Sequence, residues 1–213
     1  MERVIKRMVK TLLMCIISMY PRSFNRMIQN YKSYIYTLWI RNFIGEVGEN
    51  TYFKYPLRLQ GGGYRRIHIG ARSIIGAYGV LGSWECYGTD EHYEPEITIG
   101  NDCNLGEFCH ITAINRITIG DGLLTGRFVY IGDNSHGGLS LEEAEIPPVR
   151  RHLISKGNIK IGNNVWIGDK VTILGGVTIG DNVIIGANSV VTHEIPSNCV
   201  AVGLPAKVVK KLE

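Results

Sequence analysis

The sequence predicts an all-β solenoid, a parallel β-helix of hexapeptide repeats, entered through an N-terminal helical segment and closed by a short C-terminal cap. Three observations lead there. A branched apolar residue recurs every six positions through Ile161, Ile167, Ile173, Ile179, Ile185 and Val191. The same spacing links Ile99, Leu105, Ile111 and Ile117, and again Ile69, Ile75 and Leu81. Of 26 glycines among 213 residues, ten directly follow isoleucine. Four positions beyond the repeating residue stands a small or β-branched one, at Cys103 and Cys109 and at Val165, Val171, Val177, Val183 and Ser189.

A period of six fits neither ordinary element. On a helix six residues advance about 1.7 turns, which scatters the apolar positions, and a lone antiparallel strand alternates with period two. Period six instead describes a short strand, a sharp turn and another short strand, with the same position pointing inward each time. Three such strands close one triangular coil, with isoleucine stacked on isoleucine from coil to coil. Clusters such as Gly162-Asn163-Asn164 and Gly180-Asp181-Asn182 supply the positive φ expected at corners. Glycine at this level with only 7 prolines excludes collagen, and glycines locked in register behind isoleucine exclude a disordered Gly-rich tract.

Hydrophobic residues make up 45% and charged residues 20%, the balance of a globular chain. The net charge of +4 is unevenly placed. Residues 1–45 carry eight Lys/Arg and one acid, so the remainder carries 15 − 18 = −3. No basic stripe continues into the solenoid, which argues against a nucleic-acid partner. Five cysteines form no CxxC pair and no even framework, which points to a reduced compartment and a cytoplasmic location.

Residues 1–45 are expected to be helical. Val4, Ile5, Met8, Val9, Leu12, Leu13, Ile16 and Ile17 come in pairs four apart, Arg3, Lys6, Arg7 and Lys10 fill the other face, and Pro21 is expected to end the helix. The apolar run Leu12–Met19 is too short to span a bilayer, and Tyr20-Pro21-Arg22 gives no small-x-small cleavage site. Two readings fit this start and the aromatic stretch Tyr31 to Phe43: packing on the main domain or a neighbouring subunit, or weak contact of residues 1–20 with a membrane surface, peripheral at its inner face. The solenoid domain is assigned to 46–203 and the cap, a short helix or an extended segment, to 204–213.

Two insertions break the repeat, at 83–96 and 133–158, and loops on a rigid scaffold are where function concentrates. The first holds Trp84, Asp90 and His92; the second begins Asp133-Asn134-Ser135-His136-Gly137-Gly138. Cys103 and Cys109 occupy inward positions and read as small hydrophobes, which argues against a covalent acyl-enzyme.

The hexads, with "NVWIG" at Asn164–Gly168, "ILGGVTIG" at Ile173–Gly180, "IGANSVVT" at Ile185–Thr192 and "VGLPAKVVKK" at Val202–Lys211, resemble the hexapeptide-repeat O-acetyltransferases, galactoside and maltose acetyltransferases among them. The resemblance covers roughly residues 60–213. "DNSHGG" followed by "RHLISKGNIKIG" is closer to the exopolysaccharide and lipopolysaccharide O-acetyltransferase branch. The resemblance implies a left-handed β-helix, against the usual right-handed rule for parallel crossovers, a homotrimer, and acetyl-CoA as donor of an acetyl group to a sugar hydroxyl, with no metal. Such a hydroxyl needs a general base at neutral pH, and the resemblance puts that base at His136. Asp133 or a backbone carbonyl is the candidate to orient the imidazole. Asn134, Trp84, His92 and His110 are candidates for the acceptor cleft, and His68, His152 and His193 read as surface residues.

For acetyl-CoA the resemblance implies Trp166, Gly168, Asp169, Gly186, Ala187 and Thr192 along the C-terminal coils, with Lys207 and Lys210 against the nucleotide phosphates as point charges. Within the enzyme class the rival is an N-acetyltransferase acting on a nucleotide-linked amino sugar, whose relatives carry an N-terminal nucleotide-binding βαβ unit that residues 1–60 do not spell. A γ-type carbonic anhydrase would need zinc histidines, two of them five apart, and the sequence has no His-x4-His. A structural or binding solenoid is the non-enzyme alternative.

Overall fold

A computed structural model describes residues 2–18, 20, 22–88, 91–138 and 140–213. Helix α1 (Glu2–Ser18) and helix α2 (Arg22–Ile40) precede a left-handed parallel β-helix. Pro21 lies outside the described residues, as does Asp90 of the first insertion.

The strands stack into three parallel faces. The first face runs from Glu46–Val47 through Ile67–Ile69, Glu96–Ile99, Arg116–Ile119 and Ile159–Ile161 to Thr178–Ile179. The second runs from Tyr52–Phe53 through Asn104–Leu105 and Trp166–Ile167 to Cys199–Gly203. The third runs from Arg58–Gln60 through Val80–Ser83, His110–Ala113, Tyr130–Gly132 and Thr172–Leu174 to Val190–Val191. Parallel register carries each inward residue onto its counterpart. Ile69, Ile99, Ile119, Ile161 and Ile179 form one column, and Leu81, Ile111, Ile131, Ile173 and Val191 another, all buried. Each fully buried isoleucine contributes roughly 1.5–3 kcal/mol of apolar burial.

The glycines after isoleucine serve a different purpose from the one expected. The positive φ falls instead on Asn50, Arg72, Asp102, Gly122, Asn164, Asn182 and Asn198 at the first corner and on Tyr78, Phe108, Phe128, Lys170 and Asn188 at the second, in each case but Asn198 two residues after a glycine. The glycines themselves stand where one coil passes over the next. A Cβ on Gly162 would lie 2.6 Å from Asp181 Oδ1 and 2.7 Å from the carbonyl carbon of Gly180. Steric closeness, not backbone freedom, is what they supply.

Side chains close the hydrogen bonds that the turns leave open. At the first corner the Ala71 N–H donates to Asn101 Oδ1 at 2.8 Å, Asn101 N–H to Asp121 Oδ1 at 2.7 Å, Asp121 N–H to Asn163 Oδ1 at 2.8 Å and Asn163 N–H to Asp181 Oδ1 at 2.6 Å. At the second corner Tyr78, Phe108 and Phe128 stack with centroids 5.0 and 4.7 Å apart. The left-handed conformation costs such residues on the order of 1–2 kcal/mol each, and the stacking offsets part of it.

The two ends are covered differently. Helix α2 buries Ser33, Thr37 and Ile40 on the first coil. Tyr36 donates to the Leu57 carbonyl at 2.7 Å, the Tyr55 N–H to Ser33 Oγ at 3.1 Å, and the Arg41 guanidinium to the Gly48 carbonyl at 2.9 Å. At the far end Ala206–Lys211 folds back as an antiparallel strand on Cys199–Gly203, so the cap takes its extended form.

Replacing Gly162 by alanine should cost about 1–3 kcal/mol, because the methyl meets backbone of the next coil, and lower Tm by several degrees. Asn164→Gly, at φ 54°, should change stability by less than about 1 kcal/mol. Thermal unfolding of the two variants measures the contrast.

Candidate active site

The third face is where the solenoid opens. Its strand Val80–Ser83 runs into the first insertion and its strand Tyr130–Gly132 into the second. The first insertion makes a small hairpin, Cys86–Tyr87 against Glu91–His92. The second leaves through Asn134–His136, which pairs antiparallel with the returning Leu153–Ser155, and between them carries the short helix α3 (Leu141–Ala144), capped by Ser140.

His136 therefore sits on a two-stranded ribbon opposite Leu153, with Gly137 N–H donating to the His152 carbonyl at 2.8 Å. The insertions interlock around it. Tyr87 packs edge-on against the imidazole, centroids 5.2 Å apart, and donates to the Val149 carbonyl at 3.2 Å. Tyr93 donates to the Leu153 carbonyl at 3.1 Å, and the Glu91 carboxylate takes Tyr93, His152 and the Leu153 N–H. Glu91 is held below the usual carboxylate range chiefly by the Tyr93 hydroxyl, against the opposing effect of burial, with the Leu153 N–H and His152 adding to the lowering, while burial and Glu91 push Tyr93 up to about 12.

The imidazole is exposed and borders two cavities. One, of about 330 Å³, is lined on the solenoid side by Gln60, His110, Thr112 and Tyr130 and on the loop side by Trp84 and Tyr87. The other, of about 360 Å³, is lined by Gly132, Gly137, Gly138, Arg151, Lys156 and Gly175. Asn134, Ser135 and His136 border both. An imidazole so placed can take a proton from a group in one cavity while a second reactant occupies the other.

Asp133 does not orient it. The carboxylate is 1% exposed and accepts the N–H groups of Ile114 at 2.9 Å and Asn115 at 3.0 Å, with Asn134 Nδ2 at 3.3 Å. Burial pushes its pKa up, and the two backbone donors oppose that shift. Asp133 pins the corner from which the ribbon departs, and among the described residues no side-chain hydrogen bond to the His136 imidazole is present. Asn134 Nδ2 also donates to Thr112 Oγ1 at 3.3 Å, which accepts Trp84 Nε1 at 3.1 Å. This chain of contacts ties Trp84 and Asn134 together beneath the first cavity.

Of the acceptor candidates, Trp84, Asn134 and His110 meet around His136, whereas His92, exposed and paired with Cys86 in the hairpin, lines neither cavity. The donor candidates lie elsewhere. Trp166 points outward from the second face, 52% exposed, in one row with Ile184, Val200 and Lys210. Gly168, Asp169, Gly186 and Ala187 form the corner after that face, where Gly168 passes over Ala187 and Asp169 Oδ1 accepts the Arg127 N–H at 2.8 Å. Lys207 and Lys210 are exposed on the closing strand, and Thr192 lies past the third face with its hydroxyl 2.7 Å from His193 Nδ1. Among the described residues none of these lines the two cavities beside His136. Sequence reasoning missed Gln60, Tyr87, Thr112, Tyr130 and Ser135. His110 and Tyr130 share a register position on the third face, so the outward slot of that face was the available signal.

Burial depresses the His110 pKa, keeping the ring neutral against Tyr130. As pH falls through the ordinary histidine range near 6.5, the unfolded chain takes up this proton first, so stability contributed at neutral pH is lost on acidification. The fall in Tm between pH 7.5 and pH 5 should be larger in the wild type than in His110→Asn.

Comparison with known proteins agrees with this architecture. The family model for bacterial transferase hexapeptide (six repeats) matches residues 158–193. WbbJ of Escherichia coli (strain K12), a candidate lipopolysaccharide biosynthesis O-acetyl transferase, is 40% identical over 119 residues, a match covering 54% of this chain and 60% of that protein. The chain thus spans about 60% of the length of this curated relative. The crystal structure of a maltose O-acetyltransferase from Clostridium difficile 630 is 30% identical with TM-score 0.54, covering 82% of this chain and 73% of that one. A galactoside acetyltransferase in complex with coenzyme A is 31% identical with TM-score 0.52, covering 82% and 68%. With its period-six coils and these matches, the chain belongs to the family of bacterial hexapeptide-repeat transferases.

Proposed function

We propose that the chain is an acetyl-CoA-dependent O-acetyltransferase acting on a hydroxyl of a sugar or surface-polysaccharide precursor. The observation that carries this reading is the exposed His136 imidazole on the boundary of two cavities, one of them lined by the aromatic and polar groups of Trp84, Tyr87, His110, Thr112 and Tyr130. The names of the relatives agree with it: a maltose O-acetyltransferase, a galactoside acetyltransferase bound to coenzyme A and a candidate lipopolysaccharide O-acetyl transferase.

In this reading the acceptor hydroxyl lies in the first cavity and its proton passes to His136 as the oxygen attacks the thioester carbonyl. The tetrahedral oxyanion is met by backbone N–H groups of the Gly-rich second cavity. The intermediate collapses, the carbon–sulfur bond breaks, and the CoA sulfur leaves with the proton that His136 returns. Transfer is direct. Cys103 and Cys109 are buried, and burial raises both thiols, the reverse of what a nucleophile needs.

The donor is assigned to Trp166, Gly168, Asp169, Gly186, Ala187 and Thr192, with Lys207 and Lys210 facing the nucleotide phosphates. Most of these lie on the second face and its corner, whereas His136 stands at the end of the third. A homotrimer that sets the second corner of one copy beside the third face of the next would join the two halves, and we include it in the proposal.

His136→Asn should lower acetyl transfer from acetyl-CoA to a panel of mono- and oligosaccharides by about 10²–10⁴-fold, with CoA affinity within about twofold of wild type. Near-normal turnover would remove His136 from the chemistry. Light scattering should give about three times the chain mass of 23.7 kDa, and a monomer would remove the shared site.

A further inference from the structure

We propose that α1 docks flat on an anionic lipid bilayer, with its apolar arc at the acyl boundary and Arg3, Lys6, Arg7 and Lys10 against the lipid phosphates. This inference does not rest on the reaction proposed above.

Among the described residues the helix has no partner within the chain. Every described α1 residue is exposed, and Ile5, Met8, Leu12 and Ile16 are all more than half exposed. Its side-chain hydrogen bonds stay within itself: Lys6 to Glu2, Thr11 to the Arg7 carbonyl and Ser18 to the Cys15 carbonyl. At 100° per residue the paired apolar positions Val4, Ile5, Met8, Val9, Leu12, Leu13 and Ile16 cover about 180° of the helix, and the four basic residues share about 100° on the other side, a sector that only Met14 and Ile17 enter. Ammonium and guanidinium groups on long stems reach upward from such a helix while their methylenes lie along the apolar boundary.

Charge and spacing choose among the occupants. The chain concentrates its positive charge in residues 1–45, with one acid there, while the rest is net acidic. An anionic surface therefore attracts this segment and not the body. A second copy of α1 would bring like charges together. Its apolar pairs also recur at strict intervals of four, so the stripe turns by about 40° at each step and gives no straight heptad seam. A fluid surface tolerates that drift. Among the described residues no helix is long and apolar enough to cross a membrane, so the helix would lie in the interface plane.

Helix α2 continues the pattern. Its solenoid side is buried, while Met27, Tyr31, Tyr34, Ile35 and Leu38 remain exposed on the other side, close in sequence to Arg26 and Lys32. Tyrosines at that level suit the headgroup region.

The test uses the full chain in co-sedimentation with vesicles of phosphatidylcholine alone or with 30% phosphatidylglycerol. Binding to the anionic vesicles should be at least tenfold tighter than to the neutral ones and should weaken in 0.5 M salt. The double variant Lys6→Glu/Lys10→Glu should lose at least about 30-fold of that affinity, and Leu12→Asp should lose nearly all of it. Both variants should keep the thermal transition of the wild type; if Leu12→Asp does not, the charge-reversal variant alone decides. Equal binding to both vesicle types, no binding to either, or charge-reversed protein that binds as well as wild type would overturn the proposal. Loss of self-association in Leu12→Asp, with no vesicle binding by wild type, would assign the face to a second copy instead.

Discussion

Consecutive coils approach so closely at the first corner that a Cβ on Gly100 would stand 2.5 Å from the Gly120 carbonyl oxygen. That approach depends on a residue without a side chain immediately after the inward isoleucine at this corner, as at Gly70, Gly100, Gly120, Gly162 and Gly180. It also sets the isoleucine columns in van der Waals contact and brings Asn101, Asp121, Asn163 and Asp181 within reach of the corner N–H groups one coil away. Parallel strands of only two to five residues accumulate little twist, so their stacking persists along the prism. Apolar columns and polar ladder reinforce each other, because each holds the register the other needs.

The site inherits its order from this stacking. The third face's strand Tyr130–Gly132 leads into Asp133, whose buried carboxylate fastens the corner to the backbone of the coil before it. From that fixed point the ribbon of Asn134–His136 projects, and the Tyr87, Tyr93 and Glu91 contacts hold the two insertions against each other. Two excursions from one rigid face converge on one imidazole.

Much of this was legible in the sequence, for definable reasons. An inward isoleucine repeats because every coil presents it with the same environment, so the period marks the strands and its interruptions mark the loops, while the choice of His136 within its loop came from the family resemblance. The glycines were read correctly in place and wrongly in cause: sequence shows that Gly follows Ile, but only the stacked backbone shows what a Cβ would strike. Asp133 is adjacent to the ribbon in sequence yet faces the solenoid interior, a direction fixed by the corner. Thr112 and Gln60 were invisible because an outward slot carries no periodic signal about which loop folds over it, and Tyr87 because the insertion that holds it has no hexad register. His92, by contrast, lay in the right insertion but pairs with the exposed Cys86, while the neighbouring Tyr87–Glu91 pair is the one that meets the second insertion.

The central claim is that the stacked coils form a scaffold that stands without the second insertion, and that the insertion brings the chemistry. Circular dichroism and acetyl-transfer assay of a variant in which Asp133 is joined to Asn158, removing residues 134–157, test it together. A retained β spectrum and cooperative thermal transition, with acetyl transfer abolished, is the expected result. Loss of the β structure, or transfer that survives the deletion, would contradict it.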